Sequence, residues 1–237
     1  LQGWKIHISS TNKDSSRILK KVVGVCIENS TPFKFICDSF LLGIVSDKHW
    51  PRGSSNKFIT IYPSDEESFK KIINQLYEEL KGFNGPYILS DKRYKDCKVL
   101  YYRYGGIISQ DFLNHKGYKI PYLKSPKGDL IPDFRSPFYF LPDWVNDPFE
   151  DSTEKIENSS SNELTLNNGR YDVLEALSFS NSGGVYLAYD RTYRRKVIIK
   201  EARPYTVTTS FDNTDSVYLL KREWRNLNLL KDFKVAP

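Results

Sequence analysis

Polar and apolar side chains alternate along Trp4, Lys5, Ile6, His7, Ile8 and Ser9, the period of a half-buried strand. Lys5 and His7 fall on one face, and Trp4, Ile6 and Ile8 on the other. A Lys and a His on one face are costly unless they meet counter-charges or a charged ligand, although an edge strand with a solvated polar face has the same pattern. Residues 15–27 carry Ile18, Leu19, Val22, Val23 and Cys26 at the spacing of a helix with one buried stripe, which stops before Pro32. Phe33, Lys34, Phe35 and Ile36 then read as a strand in which the Lys34 ammonium either snorkels outward or lines a pocket. In apolar surroundings a lysine loses the solvation that favours its charge and moves toward the range of a usable base.

Residues 51–57 form a basic loop with Arg52, Gly53 and Lys57, able to cup an anion or to serve as a solvated turn. Phe58, Ile59, Thr60, Ile61 and Tyr62 follow as a strand by β-branched and aromatic content. Ser64 and Glu67 have the spacing of a capping box, and Phe69, Ile72, Ile73, Leu76, Tyr77 and Leu80 repeat at helical spacing up to Gly82. Residues 99–106 read as another strand, with Arg103 in phase with Tyr101, placed to bind a phosphate or carboxylate bidentately or to stack on a ring. Beyond it periodicity fades among regularly spaced prolines, and residues 138–149 read as an extended segment packed over the domain. Residues 151–168, rich in Ser, Asn and Glu, read as a linker between a domain at 1–150 and a second unit at 169–237.

Composition narrows the class. The 237 residues hold 35 Lys and Arg against 29 Asp and Glu, a net charge of +6 that favours anionic partners without choosing among them. The cations are dispersed along the chain, which argues against a nucleic-acid binder. Aromatic residues at 14% exceed what packing alone requires and point to aromatic-lined clefts. Cys26, Cys37 and Cys97 have no metal-ligand spacing and read as buried free thiols of a reducing compartment, and no metal site is expected. With no signal peptide and no apolar run of membrane-spanning length, the reading is cytoplasmic and off the membrane. The lack of any Met reads as an internal piece of a longer polypeptide.

Lys5-x-His7, then Lys34, then Arg52 with Tyr62, then Asp91 with Arg103, have the order and spacing of the phosphothreonine lyase family of bacterial effectors. The surrounding words GWKIHIS, FKF, RGSSNKFITIYP, PYILSDKRY and YYRYGG are similar to the lyase domains of class III and class IV lanthipeptide synthetases. The resemblance spans roughly residues 1 to 150 and implies an α+β fold of antiparallel sheets flanked by helices. It also implies elimination of phosphate from phosphoserine or phosphothreonine in a precursor peptide with leader and phosphorylated core. In that reaction, which needs no cofactor, Lys34 removes the Cα proton and His7 protonates the departing oxygen. Asp91 holds His7 protonated, and Lys5, Arg52 and Arg103 grip the phosphate. Tyr62 bonds the phosphate or positions Lys34. The rival reading is a module that only holds phosphopeptide or leader.

The second unit resembles a truncated protein-kinase N-lobe: a turn with Gly183, then Lys200 fifteen residues after Val185, and Glu223 as its αC partner. Ser178 and Ser180 stand at two of the three glycine positions of the nucleotide loop. ATP or GTP with Mg belongs to an intact kinase, and this stretch lacks the residues for catalytic base and metal, so no phosphoryl transfer is expected of it. The resemblance implies further kinase and cyclase domains of the same polypeptide as partners. Tyr205, Val207, Phe211, Val217, Tyr218 and Leu219 form an apolar stretch that either docks the leader or covers αC, and the half-lobe is expected to bury residues 138–149.

Overall fold

The computed structural model describes residues 1–108, 110–133, 135–150, 165–207 and 214–233. The fold is mixed α+β, with three antiparallel sheets and four α-helices among those residues. The first sheet comprises β1 (Gln2–Ile8), β2 (Phe33–Phe35), β3 (Ile59–Ile61), β4 (Lys92–Arg93) and β5 (Leu100–Gly106), in the order β2-β3-β1-β5-β4. The alternating segment is thus central: Ile6 faces Ile61 on one side and Tyr102 on the other.

Two helices form where the apolar spacing places them, α1 (Ser15–Glu28) and α3 (Glu66–Leu80), with a short α2 (Ser39–Val45) between them in sequence. Ile18 and Val22 of α1, and Phe69, Ile72, Ile73 and Leu76 of α3, join Trp4, Ile6, Ile8, Ile59 and Ile61 in one core. Trp4 stacks on Phe69 with ring centroids 5.3 Å apart, which locks the helix to the central strand. The cap of α3 differs from the expected box. Asp65, with extended backbone, accepts from Ser68 N at 2.7 Å, and Ser64 donates to Asp65 instead of capping the helix itself.

Beyond β5 the chain forms a meander of β6 (Gln110–Leu113), β7 (Lys119–Lys124) and β8 (Leu130–Pro132). Its strands contain Pro121 and Pro132, and this hid them from a reading by periodicity. The segment after it returns to the first unit: Leu141, Val145 and Phe149 pack on the core, and Phe149 meets Tyr94 edge-on at 4.8 Å. Phe138 and Phe140 stay 63% and 45% exposed, so the second unit does not bury this segment as expected. The thiols divide: Cys26 and Cys97 are buried and Cys37 is exposed, a correction to the expectation that all three are buried.

The second sheet runs β12-β11-β10-β9 through β9 (Thr165–Leu166), β10 (Tyr171–Ser180), β11 (Gly183–Asp190) and β12 (Arg195–Lys200), followed by α4 (Ser216–Leu230). Asp215 caps α4 by accepting from Tyr218 N at 2.9 Å. The two units meet through Asn181 in the β10–β11 turn. Its backbone N donates to Lys48 O at 3.2 Å, and its side chain donates to Asp47 O and accepts from Asn56, both at 3.1 Å. The expected linker lies outside the described residues over 151–164, as does Phe211.

Candidate active site

The face of the first sheet turned away from α1 and α3 is polar and charged, with His7, Thr60 and Arg103 buried and Lys34 exposed. Across the strands Lys34 lies opposite Thr60, Thr60 opposite His7, and His7 opposite Tyr101; one step along, Lys5 lies opposite Arg103. Opposed residues of antiparallel strands point to the same face, so Lys5, His7, Lys34 and Arg103 share it. Lys34 and His7 are two strand spacings, roughly 10 Å, apart at Cα.

Asp91 is the hub of this face. His7 Nδ1 and Asp91 Oδ2 make a close bond, Lys57 Nζ reaches Oδ1 at 3.0 Å, and Ser90 Oγ donates to Oδ1 at 2.6 Å. A carboxylate only accepts, so His7 carries a proton on Nδ1 and turns Nε2 toward the remaining space. Burial alone pushes the Asp91 carboxyl upward, but His7 and Lys57 beside it outweigh burial and hold it well below the usual carboxylate range. Burial pushes His7 down, and Lys57 and Lys5 add to it while Asp91 works the other way. Asp91 thus favours the protonated ring as expected, against burial and the lysines, which hold His7 toward the neutral form at rest. Lys57 is likewise lowered, chiefly by burial, with Asp91 opposing.

Arg103 is only 5% exposed and donates from Nη2 to Asp133 Oδ1 at 2.6 Å, while Asp133 Oδ2 accepts from Gly106 N at 3.0 Å. Lys5 Nζ donates to Gly106 O at 2.7 Å. A Cβ on Gly105 would lie 3.0 Å from Lys5 Nζ and 3.4 Å from Arg103 Nη2, so the bare backbone here leaves room for the two cations to converge. Burial, then the Arg103 guanidinium, push Lys5 down to about 7, with Asp133 opposing. Sequence reasoning passed over Asp133 and Lys57: one follows a strand with no alternating signal, the other sits in a loop that reads as a solvated turn.

Lys34 is exposed on the edge strand β2, its Nζ 5.8 Å from the centroid of the Tyr62 ring, which steadies the ammonium over the sheet. Arg52 is the residue the structure sets apart. A Cβ on Gly53 would lie 1.6 Å from the Arg135 carbonyl, so the loop is packed tightly against the chain. Arg52 instead reaches the second unit, its guanidinium 4.5 Å over the Phe179 ring. Its guanidinium thus meets the second unit and not Lys5 or Arg103. In the second unit Lys200 and Glu223 form an ion pair, and Gly183, at φ +156, lies where a Cβ would be 1.9 Å from Glu201 O. Among the described residues there is no cluster of three or more His, Cys, Asp or Glu fit for a metal, and no helix is long and apolar enough to cross a membrane.

A histidine bonded to a buried carboxylate, two cations meeting beside Gly105 and a lysine on the edge strand thus share one face of the sheet. The chain belongs to the family described as RamC, N-terminal domain, whose model matches residues 1–161. It is also similar to the Probable SapB synthase of Streptomyces coelicolor, at 38% identity over 236 residues. The match covers 100% of this chain and 25% of that relative, so the chain spans about a quarter of its length.

Proposed function

We propose that the first unit is a phosphoserine and phosphothreonine lyase acting on a lanthipeptide precursor within a multidomain synthetase. The observation that carries this reading is the convergence of Lys5, His7, Lys34 and Arg103 on one sheet face around a buried Asp91. The family match and a relative named a synthase support the biosynthetic setting.

The substrate phosphate sits with Lys5, Lys57 and Arg103, taking the place of the Asp133 carboxylate as Arg103's partner. Its negative charge raises His7 toward the imidazolium, so that Nε2 carries a proton when the phosphate arrives. Lys34, held beside the Tyr62 ring, takes the Cα proton. The electron pair of that C–H bond forms the Cα=Cβ double bond as Cβ–O breaks, and His7 delivers its proton to the departing oxygen. Dehydroalanine or dehydrobutyrine and inorganic phosphate result, with no water consumed. Each well-aimed donor to the departing phosphate contributes roughly 3–4 kcal/mol, as in an oxyanion hole.

The Lys200–Glu223 pair supports a second reading for the second unit, that of a nucleotide-binding half-lobe of a kinase whose remaining parts are supplied by the intact synthetase. For the first unit, incubation of the chain with phosphorylated precursor peptide is the test. Mass spectrometry should find a peptide lighter by phosphoric acid. Binding without that loss supports instead a module that only holds phosphopeptide, and a peptide lighter by a phosphoryl group alone indicates hydrolysis.

A further inference from the structure

A cleft of about 660 Å³ lies at the junction of the two units, within the range of about 300–1,000 Å³ that small-molecule sites occupy. The first unit lines it with Lys48, Trp50 and Arg52, and the second with Ser180, Ser182 and Lys200. Its walls are short of acceptors. Glu201 is committed on both oxygens, to Arg203 Nε at 3.1 Å and to the Tyr186 hydroxyl at 2.6 Å, and Glu223 is committed to Lys200. Donors, by contrast, are left over: Trp50 Nε1 and Arg52 Nε, on two of the lining residues, are buried without a hydrogen-bond partner among the described residues, as is Nη1 of Arg203, which is not itself in the lining. Arg203 also stands close enough to Arg52 to work against its charge. Buried donors left unmade lower stability until an acceptor arrives, and two guanidinium groups that repel each other are relieved by one anion between them.

Trp50 and Arg52 line the cleft from the first unit, and Lys200 and the Ser180 and Ser182 hydroxyls line it from the second. A chain of phosphates offers acceptors to both sets at once. Beyond them Val185, Leu219 and Leu220 give an apolar wall suited to a flat ring. We propose that the junction cleft binds a nucleoside triphosphate whose phosphate end is held by Trp50 and Arg52, so that the first unit completes the nucleotide site of the second. This rests on the nucleotide reading of the second unit. The turn is already fixed for the purpose, because buried Asn181 and Asn56 tie it to the first unit.

The test is calorimetric titration of the 237-residue chain with ATP, with inorganic tripolyphosphate and with adenosine. Trp50→Phe removes the indole N–H and keeps a ring; Arg52→Gln removes the charge. Each should weaken ATP and tripolyphosphate binding roughly tenfold, with adenosine unaffected and the melting temperatures without ligand close to that of the parent chain. If both variants bind ATP and tripolyphosphate like the parent while Lys200→Ala loses ATP, the first unit contributes nothing and the composite site is overturned, though the nucleotide reading stands. If tripolyphosphate binds in a Trp50- and Arg52-dependent way but ATP gains nothing from its base, the anion site stands and the nucleotide reading falls. Failure of the parent chain to bind either anion overturns the whole inference.

Discussion

The two units each hold a carboxylate against a lysine, and the two pairs differ in nearly everything else. In the first unit Asp91 has a fully buried side chain, with Lys57 15% exposed and His7 5% exposed beside it. In the second, Lys200 and Glu223 are 45% and 44% exposed, on the rim of an open cleft. Burial makes the first constellation expensive to break and strong in electrostatic effect, because water cannot screen it. Exposure makes the second cheap to break and weak without a ligand. Under the proposed function, acid and base steps call for the former arrangement, and an exposed pair that a ligand can reach suits the latter.

The largest expected effects are on chemistry in the buried site. His7→Ala and Lys34→Met should each lower the rate of elimination from a phosphoserine peptide by about 10²–10⁴-fold, measured by single-turnover mass spectrometry. Lys34→Met should leave phosphopeptide affinity nearly unchanged, since Lys34 acts on Cα–H, whereas Arg103→Ala should raise KM and lower kcat together. Undiminished turnover in either His7→Ala or Lys34→Met removes that residue from the mechanism.

Next comes stability. Asp91→Ala leaves Lys57 buried without its counter-charge and His7 Nδ1–H without its acceptor, and should cost about 3–5 kcal/mol in urea denaturation. Glu223→Ala in the exposed pair should cost less than about 1 kcal/mol. Similar values for the two would erase the contrast between the sites.

A pH dependence sharpens the same contrast. Lys5 stands at about 7 when folded, against an ordinary 10.5. Between those values the unfolded chain binds the proton more readily than the folded one, so stability rises with pH across that window and the cost of the buried charge is fully felt below it. Lys57 is shifted in the same direction. Urea midpoints at pH 7 and about pH 9 should therefore show a gain of up to roughly 2–3 kcal/mol from Lys5, absent in Lys5→Met. Phosphopeptide binding at about pH 8 should take up protons, because an anion beside Lys5 restores its charge; titration in two buffers of different ionisation enthalpy reads this directly.

Much of the first unit was legible because one rule governed each element. The alternation through Trp4 and His7 specified a strand with two unlike faces, and both faces proved buried, one by α1 and α3, the other by its own ion pairs. The stripes of α1 and α3 were equally plain. The sequence could not show how far apart residues close in space would lie along the chain. Asp133 joins Arg103 across 30 positions, and Lys57 joins Asp91 from a loop with no periodic signal. For Arg52 a basic loop says that a cation is present and leaves open which way it reaches, and the structure sets its guanidinium over Phe179. The β6–β8 meander hid behind prolines that belong to its strands.

The central claim is that this sheet face removes a proton from Cα and releases phosphate by breaking carbon–oxygen, and a phosphoserine peptide deuterated at Cα tests it most directly. The account predicts a product lighter by phosphoric acid that has lost the deuterium, formed by the parent chain and not by Lys34→Met. A product that has lost its phosphoryl group yet keeps the deuterium at Cα and the oxygen at Cβ would contradict it.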